Sequence, residues 1–144
     1  MLKPLSIIGY VAMVGGLLGL VFTRSVLSSS PLGIVPQLAA LALLIWARIT
    51  FGRRSYHLAA NPTAGGLIRT GPYRYIRHPI YTAVCLFATA GAAAHLSLAA
   101  VLFAGLVWCG AIVRMFCEEQ LILLRYPEYR EYAAATSRMI PFLF

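Results

Sequence analysis

Long apolar stretches make up most of the chain, and short polar segments separate them. Each of the first two stretches is long enough to cross a bilayer as a helix, since the hydrocarbon layer is about 30 Å thick and a helix rises about 1.5 Å per residue. The first also exceeds the apolar region of a signal peptide, so it is interpreted as a span. The third stretch is too long for one helix and favours a hairpin that turns near Gly91 to Ser97. The predicted spans are 5–22, 32–51, 80–94 and 97–113.

Two polar regions complete the pattern. Residues 52–79 form the one long polar segment, which carries five arginines and turn-forming pairs such as Gly71-Pro72. From Arg114 onward, apolar and charged residues mix with helical spacing, which is typical of a helix on a membrane surface. With four spans, residues 52–79 and both termini lie on one side. The sequence thus predicts a single all-α membrane domain, 1–144, with about four transmembrane helices, a cytoplasmic loop and an amphipathic C-terminal helix.

Composition and charge agree with a membrane location. Of the 144 residues, 60% are hydrophobic and 11% are charged, so the chain cannot cover its apolar surface with polar groups. Twelve Lys and Arg residues against four Glu give a net charge of +8, and all basic residues except Arg24 fall on the side of the polar segment. The positive-inside rule makes that side cytoplasmic, which accounts for the basic excess without nucleic-acid binding. We expect a protein of the inner (plasma) membrane with both termini in the cytoplasm.

Candidate chemistry falls on two polar strings. The sequence contains no familiar motif for dinucleotides, phosphate, zinc hydrolysis or serine hydrolysis. Cys85, Cys109 and Cys117 lack the spacing of a metal site or a disulfide framework, so they are interpreted as small buried apolar residues and no metal is expected. The two strings, 65–81 and 114–121, meet at the same cytoplasmic edge if the third stretch is a hairpin.

Several residues of these strings suit a ligand site. Arg114 and Glu118 are four residues apart and so share one helical face. Pro79 restricts His78 to extended geometry, which is expected to leave the backbone and ring of His78 free to face a ligand. The residues alone leave a second interpretation open, an interfacial belt that anchors the hairpin at the headgroup level. The tyrosines that would form aromatic walls or belt are Tyr73, Tyr75 and Tyr81.

Five motifs follow one another in the second half of the chain. They are Gly71-Pro72-Tyr73, Arg77-His78-Pro79-Ile80-Tyr81, Glu118-Glu119-Gln120-Leu121, Tyr126-Pro127-Glu128-Tyr129-Arg130-Glu131-Tyr132 and Ile140-Pro141-Phe142. In this order they resemble the isoprenylcysteine carboxyl methyltransferase family, and phospholipid N-methyltransferases share a related pattern. Two departures are visible: Gly65-Gly66 replaces the larger polar residues of eukaryotic members, and Tyr126-Pro127 replaces a common Phe-Gly.

The resemblance implies an integral membrane methyltransferase with S-adenosylmethionine as cofactor. Its acceptor would be lipophilic or prenylated, and the reaction most in keeping with the family is carboxyl O-methylation of an isoprenylcysteine-like substrate. Arg114 matches a position associated with the substrate. The residues similar to the cofactor-binding positions of the family are Gly65, Gly66, Leu67, Ile68, Tyr73, His78, Pro79, Ile80, Tyr81 and Glu118.

The chemistry of these residues suits that cofactor. Glu118 can take its ammonium group or ribose hydroxyls, and aromatic faces can hold its sulfonium. A carboxylate acceptor needs no general base, whereas an amine acceptor needs one, for which Glu119 and His78 are candidates. A phospholipid or small-lipid N-methyltransferase therefore remains an alternative. An NADPH-dependent membrane reductase and a non-catalytic membrane scaffold are alternatives from other classes.

Overall fold

Five α-helices and one 3₁₀ turn account for most of residues 2–52 and 66–141, the part of the chain that this computed structural model describes. The helices are α1 (Leu2–Phe22), α2 (Pro31–Phe51), α3 (Pro79–His95), α4 (Leu98–Arg125) and α5 (Tyr129–Ala135), and the 3₁₀ turn is Gly71–Arg74. No strand occurs in these two ranges, in which residues Ile76 and Ser137 form an isolated β-bridge. The predicted all-α class is confirmed.

The α3–α4 hairpin forms the centre of the bundle, with α1 packed along α4 and α2 packed along α3. The hairpin turns at Leu96 and Ser97. Leu96 has a positive φ, and the Ser97 side chain caps α4 by accepting a hydrogen bond from the Ala100 N–H. The predicted position of the turn is therefore confirmed.

Small residues let α1 and α4 approach closely. A Cβ added to Gly16 would come 2.7 Å from the carbonyl oxygen of Phe103, and one added to Gly9 would come 2.8 Å from that of Gly110. The same Cβ on Gly9 would lie 3.1 Å from the backbone nitrogen of Arg114. This contact places the N-terminal part of α1 beside the C-terminal half of α4.

The outward faces of the helices are apolar. α1, α2 and α4 are long and apolar enough to cross a membrane, and α3 is a shorter apolar helix of 17 residues. Val11, Leu38 and Leu102 are 60 to 63% exposed, and many other large apolar side chains share this exposure. Such an extensive apolar surface suits lipid rather than water. The chain is an integral membrane protein, as predicted.

The C-terminal end of α4 differs from the prediction. The sequence predicted a span that ends at residue 113 and an amphipathic segment from Arg114 onward, but α4 continues without a break to Arg125. No Gly or Pro interrupts this part of the chain, and Pro127 is the first residue there that disfavours a helix. The separate amphipathic helix is instead the short α5, which buries Tyr129 and Tyr132.

The three cysteines do not all follow the prediction. Cys85 and Cys117 are buried, as expected, and all three are free thiols. Cys109 is exposed on α4, so its interpretation as a buried residue is wrong. A thiol is apolar enough to face lipid, and sequence periodicity alone does not distinguish a lipid-facing position from a core position in a span.

Candidate functional site

Arg114, Tyr81 and Glu118 form a hydrogen-bonded cluster at the end of the α3–α4 hairpin opposite its turn. The Tyr81 hydroxyl donates to Glu118 Oε1 at 2.6 Å and accepts from Arg114 Nε at 2.7 Å. Arg114 Nε also lies 3.2 Å from Glu118 Oε1. Each of the three side chains therefore orients the other two through charge-assisted hydrogen bonds.

Helix geometry brings these side chains together and exposes them unequally. Arg114 and Glu118 lie one turn apart on α4, and Tyr81 lies in the first turn of α3. Arg114 is 6% exposed, and its guanidinium carbon lies 5.0 Å from the centre of the Tyr10 ring on α1. The Glu118 side chain is 23% exposed. The cluster thus keeps its cation inside and presents a carboxylate at its accessible edge.

His78 lies between the two glutamates of α4. Its Nδ1 is 4.0 Å from Glu118 Oε2, and its Nε2 is 3.3 Å from Glu119 Oε1. The His78 N–H donates to the Arg138 carbonyl, and the His78 carbonyl accepts from the N–H and hydroxyl of Thr82. The expectation that the backbone and ring of His78 are free is therefore wrong. Its partners include a segment about 60 residues away, which local sequence does not reveal.

Glu119 binds four side chains and is 7% exposed. Its Oε1 accepts from Arg77 Nε at 2.8 Å, from the Tyr129 hydroxyl at 3.3 Å and from His78. Its Oε2 accepts from Arg138 Nε at 3.1 Å. Burial, and next the charge of Glu119, raises the pKa of Tyr129 above its ordinary value, so that hydroxyl remains a donor at neutral pH. Glu119 is thus a buried anion that two arginines share.

The Arg-His-Pro motif pairs with a part of the C-terminal tail in which no site residue was predicted. Residues 136–139 run beside residues 75–78. The Arg77 N–H donates to the Ser137 carbonyl at 2.8 Å, and the Ser137 N–H donates to the Tyr75 carbonyl at 3.2 Å. The backbone of the motif is therefore fixed by the end of the chain.

The Arg77 side chain strengthens this attachment. Its Nη1 donates to the carbonyl of Ala133 at 2.8 Å and also to the carbonyl of Thr136. The second pair is 59 positions apart in sequence, so no local pattern predicts it. The closing Ile140-Pro141-Phe142 motif and the amphipathic spacing of the tail are the sequence signals that point to this segment, and the resemblance gave the motif no role.

Tyr73 is held in the 3₁₀ turn between α2 and α5. Gly71 has a φ of +56°, and a Cβ there would come 2.5 Å from Thr50 Oγ1, so glycine lets the turn approach α2. The rings of Tyr73 and Phe51 lie 5.4 Å apart, centre to centre. On the other side, the Tyr132 hydroxyl donates to the Tyr73 carbonyl. Burial raises the pKa of Tyr132 to about 12, so it keeps this proton at neutral pH.

The other predicted cofactor residues lie around this centre. Pro79 is buried as the first residue of α3, and Ile80 is half-buried. Residues 66–68 form an irregular, half-buried segment that leads toward the 3₁₀ turn, and no hydrogen bond between described residues joins them to the cluster. Gly65 lies outside the described residues. The predicted residues that the structure brings together are Arg114, Tyr81, Glu118 and His78.

The donor and acceptor groups of this cluster fit a cationic ligand beside an anionic one. The Glu118 carboxylate can take an ammonium group or hydroxyls. The rings of His78 and Tyr81 are stacked with centres 5.7 Å apart, and aromatic faces attract a sulfonium. Arg114 can bind a carboxylate. S-adenosylmethionine and a carboxylate acceptor together carry these groups.

Comparison with known proteins identifies a family. The model of the isoprenylcysteine carboxyl methyltransferase (ICMT) family matches residues 32–124, which is well over half of the chain. The matched range includes α3 and nearly all of α4, with Tyr81, Arg114 and Glu118. No curated protein and no solved structure matches the chain.

Proposed function

The chain belongs to the isoprenylcysteine carboxyl methyltransferase family, and we propose that it transfers a methyl group from S-adenosylmethionine to the carboxylate of an isoprenylcysteine-like acceptor. The cluster of Arg114, Tyr81 and Glu118 is the observation that carries this proposal. It combines an accessible carboxylate with a buried cation at one end of the α3–α4 hairpin. A cationic cofactor and an anionic acceptor would each find the opposite charge there.

Glu118, His78 and Tyr81 form the proposed cofactor side. S-adenosylmethionine supplies a methyl group that its sulfonium activates for transfer. Glu118 takes the ammonium group or the ribose hydroxyls, and Tyr81 orients Glu118 through their 2.6 Å hydrogen bond. The rings of His78 and Tyr81 offer π faces to the sulfonium. The other residues proposed for this side are Gly65, Gly66, Leu67, Ile68, Tyr73, Pro79 and Ile80.

Arg114 is the proposed acceptor-orienting residue. Methyl transfer is a displacement that mainly requires alignment and exclusion of water. Arg114 is buried and held between Tyr81 and Tyr10, so its guanidinium can align a carboxylate through charge-assisted hydrogen bonds. A carboxylate with a pKa of about 4 is ionised at neutral pH, so no residue has to remove a proton from it.

The lipid-facing surface near Arg114 suits a lipophilic acceptor. Tyr10, which contacts Arg114, is flanked on α1 by Ile7 and Val11, which are 37% and 62% exposed on the outer face. A prenyl group can therefore lie in the bilayer while its carboxylate reaches the cluster. The distribution of basic residues supports a cytoplasmic position for this end of the bundle and for both termini, in the inner (plasma) membrane.

A phospholipid or small-lipid amine is the second candidate acceptor. Before methylation an amine has to lose a proton, for which Glu119 or His78 would be the base. Glu119 already accepts hydrogen bonds from Arg77 and Arg138, and His78 is buried between the glutamates of α4. These contacts support the carboxylate acceptor over the amine.

Calorimetry of the detergent-purified protein tests the cofactor assignment. We expect S-adenosylhomocysteine to bind the parent, and we expect Glu118→Ala to lose about tenfold or more in affinity because a charged hydrogen-bonding partner is removed. Glu128→Ala serves as the control, since Glu128 is an exposed glutamate at the same end of the bundle and makes no side-chain cap. Equal binding by the parent and Glu118→Ala would contradict the assignment.

The same samples separate this function from the alternatives of other classes. Tighter binding of NADPH than of S-adenosylhomocysteine would favour a membrane reductase. If neither cofactor raised the thermal stability of the protein, the chain would be a non-catalytic scaffold.

Transfer of a radiolabelled methyl group identifies the acceptor class. We expect label from S-adenosylmethionine to enter a synthetic prenylated cysteine that has a free carboxylate. Treatment with base should release this label, because methyl esters are base-labile and N-methyl groups are not. Label that entered a phospholipid extract and survived base would support the amine acceptor instead.

A further inference from the structure

An open cleft of about 770 Å³ lies on the side of Glu119 that faces α5 and the C-terminal segment. Its lining includes Gln120 and Leu123 of α4, together with residues 133–138. Four arginines and one glutamate provide its charge. They are Arg74, Arg77, Arg130, Arg138 and Glu119.

Among the described residues, the arginines of the cleft outnumber the carboxylates that pair with them. Glu119 pairs with both Arg77 and Arg138. Arg74 lies over the ring of Tyr75, with its guanidinium carbon 5.2 Å from the ring centre. Neither Arg74 nor Arg130 forms an ion pair with a carboxylate among residues 2–52 and 66–141. The cleft is therefore complementary to an anion.

The cleft is separate from the proposed methyl-transfer site. An α-helix turns by about 100° per residue, so Gln120 points roughly 200° away from Glu118 around α4. Phe116 likewise points roughly 200° away from Arg114 around α4. The cleft thus opens on the side of α4 that faces away from Arg114 and Glu118. The buried Glu119 lies between that side and the side of the cluster.

The cleft also continues the lipid-facing surface of α4. Leu102, Leu106, Cys109, Phe116 and Gln120 are exposed and share one face, because their spacings of three, four or seven residues follow the helical repeat. The guanidinium of Arg138 lies over the Phe116 ring, 5.2 Å from its centre. One continuous stripe therefore leads from lipid contact into the arginine-lined cleft.

The end of the cleft nearest the predicted span falls at the expected level of the headgroup layer. The predicted span ends at residue 113, and Phe116, over whose ring the Arg138 guanidinium lies, is roughly 5 Å further along the helix. The polar layer of a bilayer begins at the edge of the hydrocarbon core and is several ångströms deep. The phosphate of a lipid whose acyl chains pack near Phe116 would therefore lie beside Arg138 at the edge of the cleft.

We propose that the cleft binds the phosphate group of an anionic phospholipid, with Arg74 and Arg130 as its principal ligands and the acyl chains along the outer face of α4. Guanidinium groups bind phosphate through paired hydrogen bonds. The bound lipid would hold α5 and the C-terminal segment at the membrane surface. This site does not depend on the identity of the methyl acceptor.

Thermal unfolding in detergent, with added lipid as the variable, tests the proposal. We expect phosphatidylglycerol to raise the unfolding temperature of the parent, and phosphatidylcholine at the same concentration to raise it much less. The double variant Arg74→Gln/Arg130→Gln should bind phosphatidylglycerol about tenfold more weakly, because two charged contacts are removed. Arg125→Gln is the matched control, since Arg125 lies at the same end of the bundle but does not line the cleft.

Each other outcome would overturn the proposal. Equal stabilisation by both lipids would show that headgroup charge is not recognised. An equal loss in Arg125→Gln would indicate general attraction to a basic surface. Inorganic phosphate that protected the protein as well as the lipid at equal concentration would identify a soluble anion as the ligand. The readout is lipid binding, so it stays interpretable if the methyltransferase assignment fails.

Discussion

Glu118 and Glu119 are adjacent in sequence and lie in opposite environments. The Glu118 side chain is 23% exposed, hydrogen-bonds to one guanidinium group and one hydroxyl, and lies 4.0 Å from His78. The Glu119 side chain is 7% exposed and binds two guanidinium groups, a histidine and a hydroxyl. A rotation of about 100° along α4 separates the two directions. One carboxylate is thus left accessible to a ligand, while the other joins the chain segments that frame the site.

The largest effect is expected when Glu119 loses its charge. In Glu119→Gln, Arg77 and Arg138 stay close together without their shared anion. In addition, an NH₂ donor replaces one carboxylate oxygen that accepts hydrogen bonds. Removing one partner of a buried ion pair typically costs about 3 kcal/mol or more. We expect a loss of that size in the free energy of unfolding, measured by titration of the protein from mild detergent into a denaturing one.

The matched change at the neighbouring residue provides the control for stability. Glu118→Gln should lower the free energy of unfolding by about 1 to 2 kcal/mol, less than Glu119→Gln, because the Glu118 carboxylate is partly solvated although the buried Arg114 loses this ion pair. Similar losses in the two variants would show that both carboxylates are structural, and the distinction between them would be wrong.

The second largest effect is expected in the affinity of Glu118→Gln for S-adenosylhomocysteine. Glu118→Gln keeps the shape of the side chain but removes its charge, so we expect the affinity for S-adenosylhomocysteine to fall about tenfold, or about 1.4 kcal/mol. Calorimetry on the variant and the parent measures this loss. A larger loss of affinity in a folded Glu119→Gln sample than in Glu118→Gln would reverse the assignment of roles.

These two glutamates also show what sequence can and cannot predict. The helical spacing of Arg114 and Glu118, and the hairpin that brings the Arg-His-Pro motif to α4, follow from local periodicity, and the structure confirms both. The partners of Glu119 do not follow from periodicity. Arg138 reaches it from the end of the chain through a backbone pairing of the β-bridge type, between segments about 60 residues apart.

The extent of α4 illustrates the same limit. Arg114 marks a change from apolar to charged composition, and composition predicted the end of a span there. The backbone continues as a helix because the charged side chains of this part find partners on α3 and in the C-terminal segment. Composition reports the polarity of the surroundings, whereas the end of a helix depends on backbone-breaking residues such as Pro127.

A smaller effect is expected at the residue that orients Glu118. Tyr81→Phe removes the hydroxyl between Arg114 and Glu118 but leaves their direct 3.2 Å contact in place. We expect a loss of about fivefold in affinity for S-adenosylhomocysteine, which corresponds to one hydrogen bond of about 1 kcal/mol. A loss as large as that of Glu118→Gln would mean that Tyr81 itself is the main ligand on this side.

The smallest effect is expected at the exposed edge of the Glu119 network. The Arg138 side chain is 36% exposed, compared with 6% for Arg77, so solvent screens its ion pair with Glu119. Arg138→Gln should therefore lower the free energy of unfolding by about 0.5 kcal/mol. Hydrogen exchange should still quicken at the Ser137 N–H, which bonds to the Tyr75 carbonyl, because the adjacent side-chain attachment is lost.

Arg77→Gln should lower the free energy of unfolding several times more than Arg138→Gln, since it breaks the buried ion pair and two hydrogen bonds to carbonyls together. Equal losses of unfolding free energy in the two variants would show that burial does not decide the strength of these ion pairs. The Arg-His-Pro motif would then be held by the C-terminal segment rather than by Glu119.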